Sequence, residues 1–268
     1  MGKIVSLANQ KGGVGKTTSS VNLSAAIAML GKKVLLVDAD SQANSTSGLG
    51  VDSDNVKLSI YNCLLEDVDA KDAILKTNIE NLYLLPSHID LVGAEVELPT
   101  LHNGSYVLRE MLNSIREDYD LIFIDCSPSL GMITVNSLTA SDTVLIPVQC
   151  EYFALEGIGK LLNTIKLVQS ELNPNLLIEG FVCTMFDSRT GLSNEVVEEM
   201  RTHFEDLCFK TIINRNVKVS EAPSYGMPVV TYDKTSTGAK NYMELAKEFL
   251  QRNDMTRMSS EEKKMRNE

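Results

Sequence analysis

The residues with the clearest chemical purpose form a short glycine-rich segment near the N-terminus. Its members are Lys11, Gly12, Gly13, Val14, Gly15, Lys16, Thr17 and Thr18, in the order KGGVGKTT. Glycines let the backbone turn tightly and point its N–H groups inward, an arrangement that binds phosphate. Lys16 would bring a positive charge to the β- and γ-phosphates of a nucleotide, and the Thr17 hydroxyl is placed to bind Mg²⁺. The segment therefore predicts a phosphate-binding loop.

The loop differs from the ordinary phosphate-loop pattern at its entrance. The spacing G-x-x-x-x-G-K-T requires glycine at position 10, where this chain has Gln10. A second lysine, Lys11, follows directly. Two lysines in one loop distinguish the chain from the general class of phosphate-loop proteins.

Three aspartates follow apolar runs further along the chain. Asp38 and Asp40 end the run VLLVDAD, and Asp125 stands in DLIFIDC. In a parallel sheet such positions border the crevice where ligands bind. Asp38 and Asp40 are two residues apart and would share one face of a regular strand, where one could orient a metal ion or water and the other could position an attacking water. Asp125 would hold Mg²⁺ through water beside the loop.

The elements that must position these groups alternate along the chain. Apolar, β-branched runs predict strands at 4–9, 34–40, 81–87, 120–126, 143–149 and 176–185. Helical spacing of apolar residues predicts helices at 17–31, 105–117, 154–172 and 194–207. Residues 45–104 are less regular and would hold short helices and one edge strand. This alternation favours an α/β fold with a doubly wound, mostly parallel sheet and helices on both faces. We expect one domain over residues 1–252 and a polar tail over residues 253–268.

The composition suits a globular protein and excludes several function classes. The chain has 268 residues, of which 43% are hydrophobic and 23% are charged, so a large core can form without disulfides or zinc. No apolar run approaches the roughly 18–20 residues of a membrane span, which predicts a cytoplasmic protein without a membrane partner. The net charge of −11 argues against a simple basic nucleic-acid binder, although residues 209–258 carry a local excess of Lys and Arg.

Six ordered segments extend over nearly the whole chain, from residue 1 to about residue 250. They are ANQKGGVGKTT, LLVDADSQAN, DCSPSLG, VLIPVQCEYFALEG, TMFDSRT and RNVKVSEAPSYGMPV. Together they resemble the ParA/Soj branch of the deviant Walker A ATPases, relatives of MinD. The resemblance implies an ATP hydrolase that uses ATP and Mg²⁺ and forms a homodimer with ATP between its subunits. It also implies non-specific binding to double-stranded DNA, a ParB-like partner, a nucleoid-associated location and a role in chromosome or plasmid partition.

The same resemblance assigns roles to individual residues. Lys11 would cross to the nucleotide of the partner subunit, and Gly12 would lie where the two loops approach each other. Asp40 would be the switch residue for hydrolysis, and Asp38 would support the Mg²⁺ region. The residues implied to hold or enclose the adenine are Met185, Asn214, Asn216, Glu221 and Pro223. Members of the family often have proline where this chain has Asn214.

Two basic residues are implied to contact DNA. Arg189 in FDSRT and Lys218 in RNVKV stand at the family's DNA-contacting positions. The residue types alone are equally compatible with ordinary solvated side chains. Lysine at position 218 keeps the charge of the arginine that is frequent in the family but loses its two-pronged geometry, which a phosphate contact tolerates better than base readout.

Two other functions remain open at this point. A MinD-like ATPase that positions a membrane or protein cargo would end in a basic amphipathic helix with large apolar residues, and the tail MSSEEKKMRNE has only methionines of that kind. An ATP-gated DNA-binding scaffold with negligible turnover would share every segment above. Only Asp40 and Asp125, the carboxylates suited to hydrolysis, argue against the scaffold.

Overall fold

The computed structural model describes residues 2–151 and 154–255, which form a seven-stranded sheet with helices on both faces. The strands are β1 (Lys3–Leu7), β2 (Val34–Ala39), β3 (Leu75–Lys76), β4 (Leu82–Leu85), β5 (Leu121–Cys126), β6 (Thr143–Gln149) and β7 (Leu177–Thr184). The helices are α1 (Lys16–Met29), α2 (Asn44–Gly48), α3 (Ile60–Leu65), α4 (Ala70–Ala73), α5 (Leu91–Glu97), α6 (Val107–Ile115), α7 (Met132–Ala140), α8 (Ala154–Glu171), α9 (Gly191–Phe204), α10 (Val217–Glu221), α11 (Val229–Tyr232) and α12 (Thr237–Arg252).

The strand order places the phosphate loop at the centre of the sheet. The order is β3-β4-β2-β5-β1-β6-β7, and all neighbours are parallel except the edge pair β3 and β4. The chain leaves β1 toward one edge and returns to its other side with β6, and ligands bind at such a reversal of strand order. Asp125 on β5 is level with Leu7 on β1 and with Asp38 on β2. The doubly wound, mostly parallel sheet is therefore confirmed, and its geometry brings the loop and two aspartates together at the carboxyl ends of the central strands.

Two hydrophobic cores cover the two faces of the sheet. Alternate residues of each central strand point to opposite cores, as Ile4 and Leu35 do on one face and Val5 and Leu36 on the other. Helices α3 to α9 pack on the face that carries Ile4 and Leu35, and helices α1, α11 and α12 pack on the face that carries Val5 and Leu36. Burial on both faces explains why these strands are apolar almost throughout instead of alternating with polar residues.

Most predicted elements exist, with shifted ends. The strand predicted at 4–9 ends at Leu7, because the following residues already turn into the phosphate loop. The expected edge strand within 45–104 is β3, which is antiparallel. Helices α7 and α12 were not predicted. Nearly all of α7 is buried, so it lacks a polar face that would reveal its helical period.

The C-terminal end is only partly described. Helix α12 ends at Arg252, where the domain was expected to end, and residues 256–268 of the expected tail lie outside the described residues. Within the described ranges, no helix combines the length and the apolar character that a membrane crossing requires.

Candidate functional site

The predicted phosphate loop connects β1 to α1 and has the required backbone form. Gly13 and Gly15 have φ angles of 76° and 85°, in the left-handed region that favours glycine. No side chain caps the first turn of α1, so its backbone N–H groups are available to an anion. Asn9 fastens the entrance, because its Oδ1 accepts from the N–H of Lys11 at 3.0 Å and its Nδ2 donates to the carbonyl of Pro147 at 2.8 Å.

Lys16 lies beneath this loop as a buried cation. Its residue surface is 6% exposed, and its Nζ donates to the carbonyl oxygen of Lys11 at 3.3 Å. Burial lowers the pKa of Lys16, and the nearby charges of Asp125 and Asp40 oppose that shift. A cation that has lost much of its water and faces the loop interacts strongly with an incoming anion.

Two aspartates lie side by side at the ends of paired strands. Asp38 on β2 and Asp125 on β5 are both fully buried. Burial, and secondarily the charge of Asp125, raises the pKa of Asp38 to about 7, and burial also raises the pKa of Asp125. Asp40 lies outside the strand, because β2 ends at Ala39, so the expectation of a shared strand face does not apply to the pair Asp38 and Asp40. Two buried carboxylates on paired strands favour a bound cation.

Hydroxyl groups that were not predicted support both carboxylates. Ser20 of α1 and Ser45 of α2 donate to the two oxygens of Asp125, each at 2.8 Å. Thr46 donates to Asp38 Oδ2 through its backbone N–H at 2.8 Å and its hydroxyl at 2.7 Å. The short helix α2 therefore holds both carboxylates. Its sequence NSTSG is rich in hydroxyls, which is the signal that could have pointed to it.

A cavity of about 380 Å³ lies on the side of Asp40 and is lined by residues that include Asp40, Glu95 and the loop 127–129. Glu95 of α5 was not predicted to contribute. Its carboxylate accepts from the backbone N–H of Met132 at 2.5 Å and from that of Ile133 at 3.4 Å, at the first turn of α7. Glu95 thereby fixes the helix that follows the loop after Asp125.

A second cavity, of about 290 Å³, lies beside Gly15 and Thr18 of the phosphate loop. Four of the residues implied to surround adenine line it, namely Met185, Asn214, Asn216 and Pro223. The fifth, Glu221, is not among its lining residues, and its carboxylate binds Lys218 Nζ at 2.8 Å. The size and the position next to the loop suit a purine base, and the individual roles stay predictions.

An acidic side chain lies beside each basic residue that is predicted to contact a partner subunit or DNA, namely Lys11, Arg189 and Lys218. The neighbour of Lys218 is Glu221. Lys11 Nζ lies 3.9 Å from Glu151 Oε2, a loose contact. The Arg189 side chain is 85% exposed and makes a two-pronged pair with Asp187. These exposed pairs are weak and can exchange for other anions at little cost.

The side chains of this site supply only part of the coordination shell of Mg²⁺. In the described part of the chain, no three His, Cys, Asp or Glu side chains are grouped so that they could hold a metal ion alone. Mg²⁺ typically takes one or two carboxylates and completes its shell with water and phosphate oxygens. Thr17, Asp38 and Asp125 therefore fit Mg²⁺ that is bound together with a nucleotide.

Known proteins of similar sequence identify the family of this chain. A family model described as an AAA domain matches residues 2–178. The sporulation initiation inhibitor protein Soj of Bacillus subtilis is 53% identical over 248 residues, which are 92% of this chain and 98% of that protein. The chromosome partitioning protein ParA of Myxococcus xanthus is 47% identical, over 94% of this chain and 89% of its own. The chain belongs to the Soj/ParA family of chromosome-partitioning ATPases.

Solved structures of several related ATP-binding proteins share the fold of this chain. Cobyrinic acid a,c-diamide synthase from Mycobacterium smegmatis, solved with bound ADP and magnesium, has a TM-score of 0.83 and 37% identity, and the match covers 96% of this chain and 97% of that one. A Borrelia burgdorferi structure titled as a plasmid partition protein, bound to AMPPNP, has a TM-score of 0.80 and 28% identity, with 94% and 99% of the two chains covered. The cell division ATPase MinD of Pyrococcus furiosus has a TM-score of 0.76 and 29% identity, over 94% of this chain and 99% of its own.

Proposed function

We propose that the chain is a Mg²⁺-dependent ATPase that dimerises around ATP, binds DNA non-specifically and drives chromosome or plasmid partition with a ParB-like partner. The observation that carries the proposal is the buried Lys16 under a phosphate loop that faces Asp38, Asp40 and Asp125, in a chain of the Soj/ParA family. Nucleoid association follows from the DNA binding that is proposed.

The chain's own groups divide the work of hydrolysis. Lys16 and the N–H groups at the start of α1 hold the phosphates, and Thr17, Asp38 and Asp125 hold Mg²⁺ together with them. Mg²⁺ supplies positive charge to the β- and γ-phosphate oxygens. Asp40 positions the attacking water, since its Oδ1 accepts from the N–H of Gln42 at 3.0 Å and its carboxylate borders the 380 Å³ cavity. Little else is available to accelerate the reaction, so we expect slow turnover without a partner.

The outer side of the loop supports the proposed dimer. A Cβ added at Gly12 or Gly13 would meet nothing within 4 Å, so the loop is open on that side and a second subunit can approach closely. Lys11 stands at the same entrance, and within the described residues the ion pair of its side chain is the 3.9 Å contact with Glu151. Its ammonium can therefore leave Glu151 for the more negative phosphates of a nucleotide in the partner.

The proposed DNA contact would be electrostatic. Arg189 and Lys218 would exchange their carboxylate partners for backbone phosphates. The protein's net charge is −11, so the contact must be local and should weaken steeply as salt rises.

The proposal is tested by binding to long duplex DNA of random sequence, with ATP, ADP or no nucleotide, at low and moderate salt. We expect binding only with ATP, and weaker binding at the higher salt. Arg189→Glu should lose DNA binding and keep ATP-driven dimerisation, measured by light scattering. Lys76→Glu is the matched control, because it makes the same charge change on β3, at the opposite edge of the sheet.

The alternatives give different results in the same experiment. DNA binding that is absent in every nucleotide state would refute the partition role, and binding to anionic vesicles instead would support a membrane cargo. ATP-dependent DNA binding without measurable phosphate release would identify a scaffold. Loss of both dimerisation and DNA binding in Arg189→Glu would show that Arg189 supports the fold.

A further inference from the structure

The 290 Å³ cavity is backed by a helix that was not predicted from the sequence. Helix α12 approaches the cavity wall closely at Gly238, where an added Cβ would lie 2.3 Å from Val219 Cγ2 and 3.3 Å from Asn216 Oδ1. Tyr242, one turn further along, lines the cavity itself. Between these two positions lies Asn241, which has no role in the site described so far.

Asn241 holds Asn214 by two hydrogen bonds that determine the orientation of both amides. Asn241 Oδ1 accepts from the backbone N–H of Asn214 at 3.1 Å and from its side-chain Nδ2 at 2.9 Å. A backbone N–H can only donate, so the Asn241 atom that faces it must be the oxygen. The Asn214 atom that faces this oxygen must then be the NH₂ group. Among the described residues nothing donates to the remaining atom, Asn214 Oδ1, and Asn214 lines the cavity, so this acceptor is available to a bound molecule.

Asn216 is fixed in the opposite sense. Its Oδ1 caps α10 by accepting from the backbone N–H of Lys218 at 3.0 Å. By the same rule its NH₂ group is the atom left for the cavity wall, to which Asn216 also belongs. The cavity therefore offers an acceptor from Asn214 and a donor from Asn216, two residues apart.

We propose that Asn241 is a positioning residue that makes the cavity select 6-amino purines over 6-oxo purines, by fixing Asn214 Oδ1 as an acceptor. The proposal rests on the proposed nucleotide-binding function. On the edge of adenine that carries N7, an NH₂ donor at position 6 lies beside the N7 acceptor, which complements the Asn214 and Asn216 pair. Guanine and hypoxanthine carry an oxygen at position 6 on that edge, so both of its groups are acceptors and the oxygen would face Asn214 Oδ1. The two facing oxygens would then have no donor between them, and a polar mismatch of this kind discriminates strongly.

The test compares the affinities for ADP and inosine diphosphate, which differ at position 6 and in the protonation of the adjacent nitrogen. Both are measured by displacement of a fluorescent ADP analogue, so that hydrolysis does not interfere. The wild-type protein should bind ADP at least about tenfold more tightly than inosine diphosphate. Asn241→Asp keeps an oxygen acceptor for both N–H groups and should keep that ratio, even where the added charge weakens both affinities. Asn241→Leu has a similar volume but no acceptor, and its ratio should fall to within about threefold of one.

A double variant distinguishes positioning from general damage. If Asn241 acts through Asn214, then Asn214→Ala should lose the ratio by itself, and adding Asn241→Leu should change it no further. An unchanged ratio in Asn241→Leu, or further loss in the double variant, would overturn the proposal while leaving the proposed ATPase intact. A wild-type protein that binds neither diphosphate would overturn both.

Discussion

Replacing Thr46 by valine would remove one hydroxyl group from the support of Asp38 and leave the side-chain volume nearly unchanged. The hydroxyl donates to Asp38 Oδ2 at 2.7 Å and accepts from the backbone N–H of Ser87 at 3.0 Å. Thr46, Asp38 and Ser87 are all fully buried, so water cannot replace the lost partner without a rearrangement.

The two broken contacts set the expected magnitude. A hydrogen bond to a charged group contributes about 1.5–3 kcal/mol, and a buried N–H left without a partner costs about 1–3 kcal/mol. Asp38 keeps the bond from the N–H of Thr46, which limits the loss on that side. We therefore expect Thr46→Val to lower the free energy of unfolding by about 3 kcal/mol or more, with a fall in Tm of roughly 6–12 °C.

Urea unfolding without nucleotide, at a pH above the raised pKa of Asp38 so that its carboxylate is charged, measures this difference, provided that the m-value is unchanged. Thr139→Val is the matched control, because Thr139 is 1% exposed and, among the described residues, its hydroxyl makes one hydrogen bond, to the carbonyl of Val135 within α7 at 2.8 Å. Removing such a bond within a helix should cost less than about 1 kcal/mol. A Thr46→Val protein that is within about 1 kcal/mol of Thr139→Val would refute the idea that α2 holds the carboxylates through this hydroxyl.

Substitutions at four further positions test other contacts of the structure. Asp40→Ala should still dimerise with ATP and remain on DNA, while phosphate release falls about 10²-fold or more. Normal turnover in Asp40→Ala would contradict the assignment of Asp40 as the residue that positions the attacking water. Lys16→Ala should lose the nucleotide-driven dimer altogether. Because the start of α7 loses its cap, Glu95→Ala should lower the free energy of unfolding by about 0.5–2 kcal/mol. The same variant should lower turnover more than ATP affinity, and Glu95→Gln should recover part of both losses. Gly226→Ala should lower the free energy of unfolding by about 2 kcal/mol or more, since φ is 61° and the new Cβ would lie 2.6 Å from Gly50 Cα. Thermal unfolding measures this, and an unchanged Tm would show that the backbone at Gly50 can move away at little cost.

The sequence predicted best what is local. The phosphate loop could be placed because its glycines, lysine and threonine are contiguous and stand between an apolar run and a helical one. Asp38 and Asp125 could be placed at one edge because parallel strands end together. The loop depends on one contiguous segment, whereas the common position of the two aspartates, which lie on separate strands, follows from a general rule of parallel sheets.

What the sequence left out depends on contacts between distant segments. Ser45 reaches Asp125 and Asn241 reaches Asn214 only because separate helices pack against the same sheet. Helix α12 does show apolar spacing at Tyr242, Leu245 and Phe249, so it could have been found. The resemblance placed Glu221 in the adenine wall, whereas its carboxylate pairs with Lys218 three residues earlier. A sequence segment that resembles a family does not specify which of its side chains pair with each other.

The central place of β1 in the sheet has a consequence during synthesis on the ribosome. β1 is complete at Leu7, but its two neighbours, β5 and β6, begin only at Leu121 and Thr143. At about 5–20 residues per second, the strand that leads into the phosphate loop waits on the order of 10 s for its partners. During that interval both of its edges and its apolar side chains are unprotected, so the nascent chain needs shielding there. The phosphate loop and its aspartates can therefore come together only after roughly half of the protein has been made, and the adjoining cavity, which includes Tyr242, forms later still.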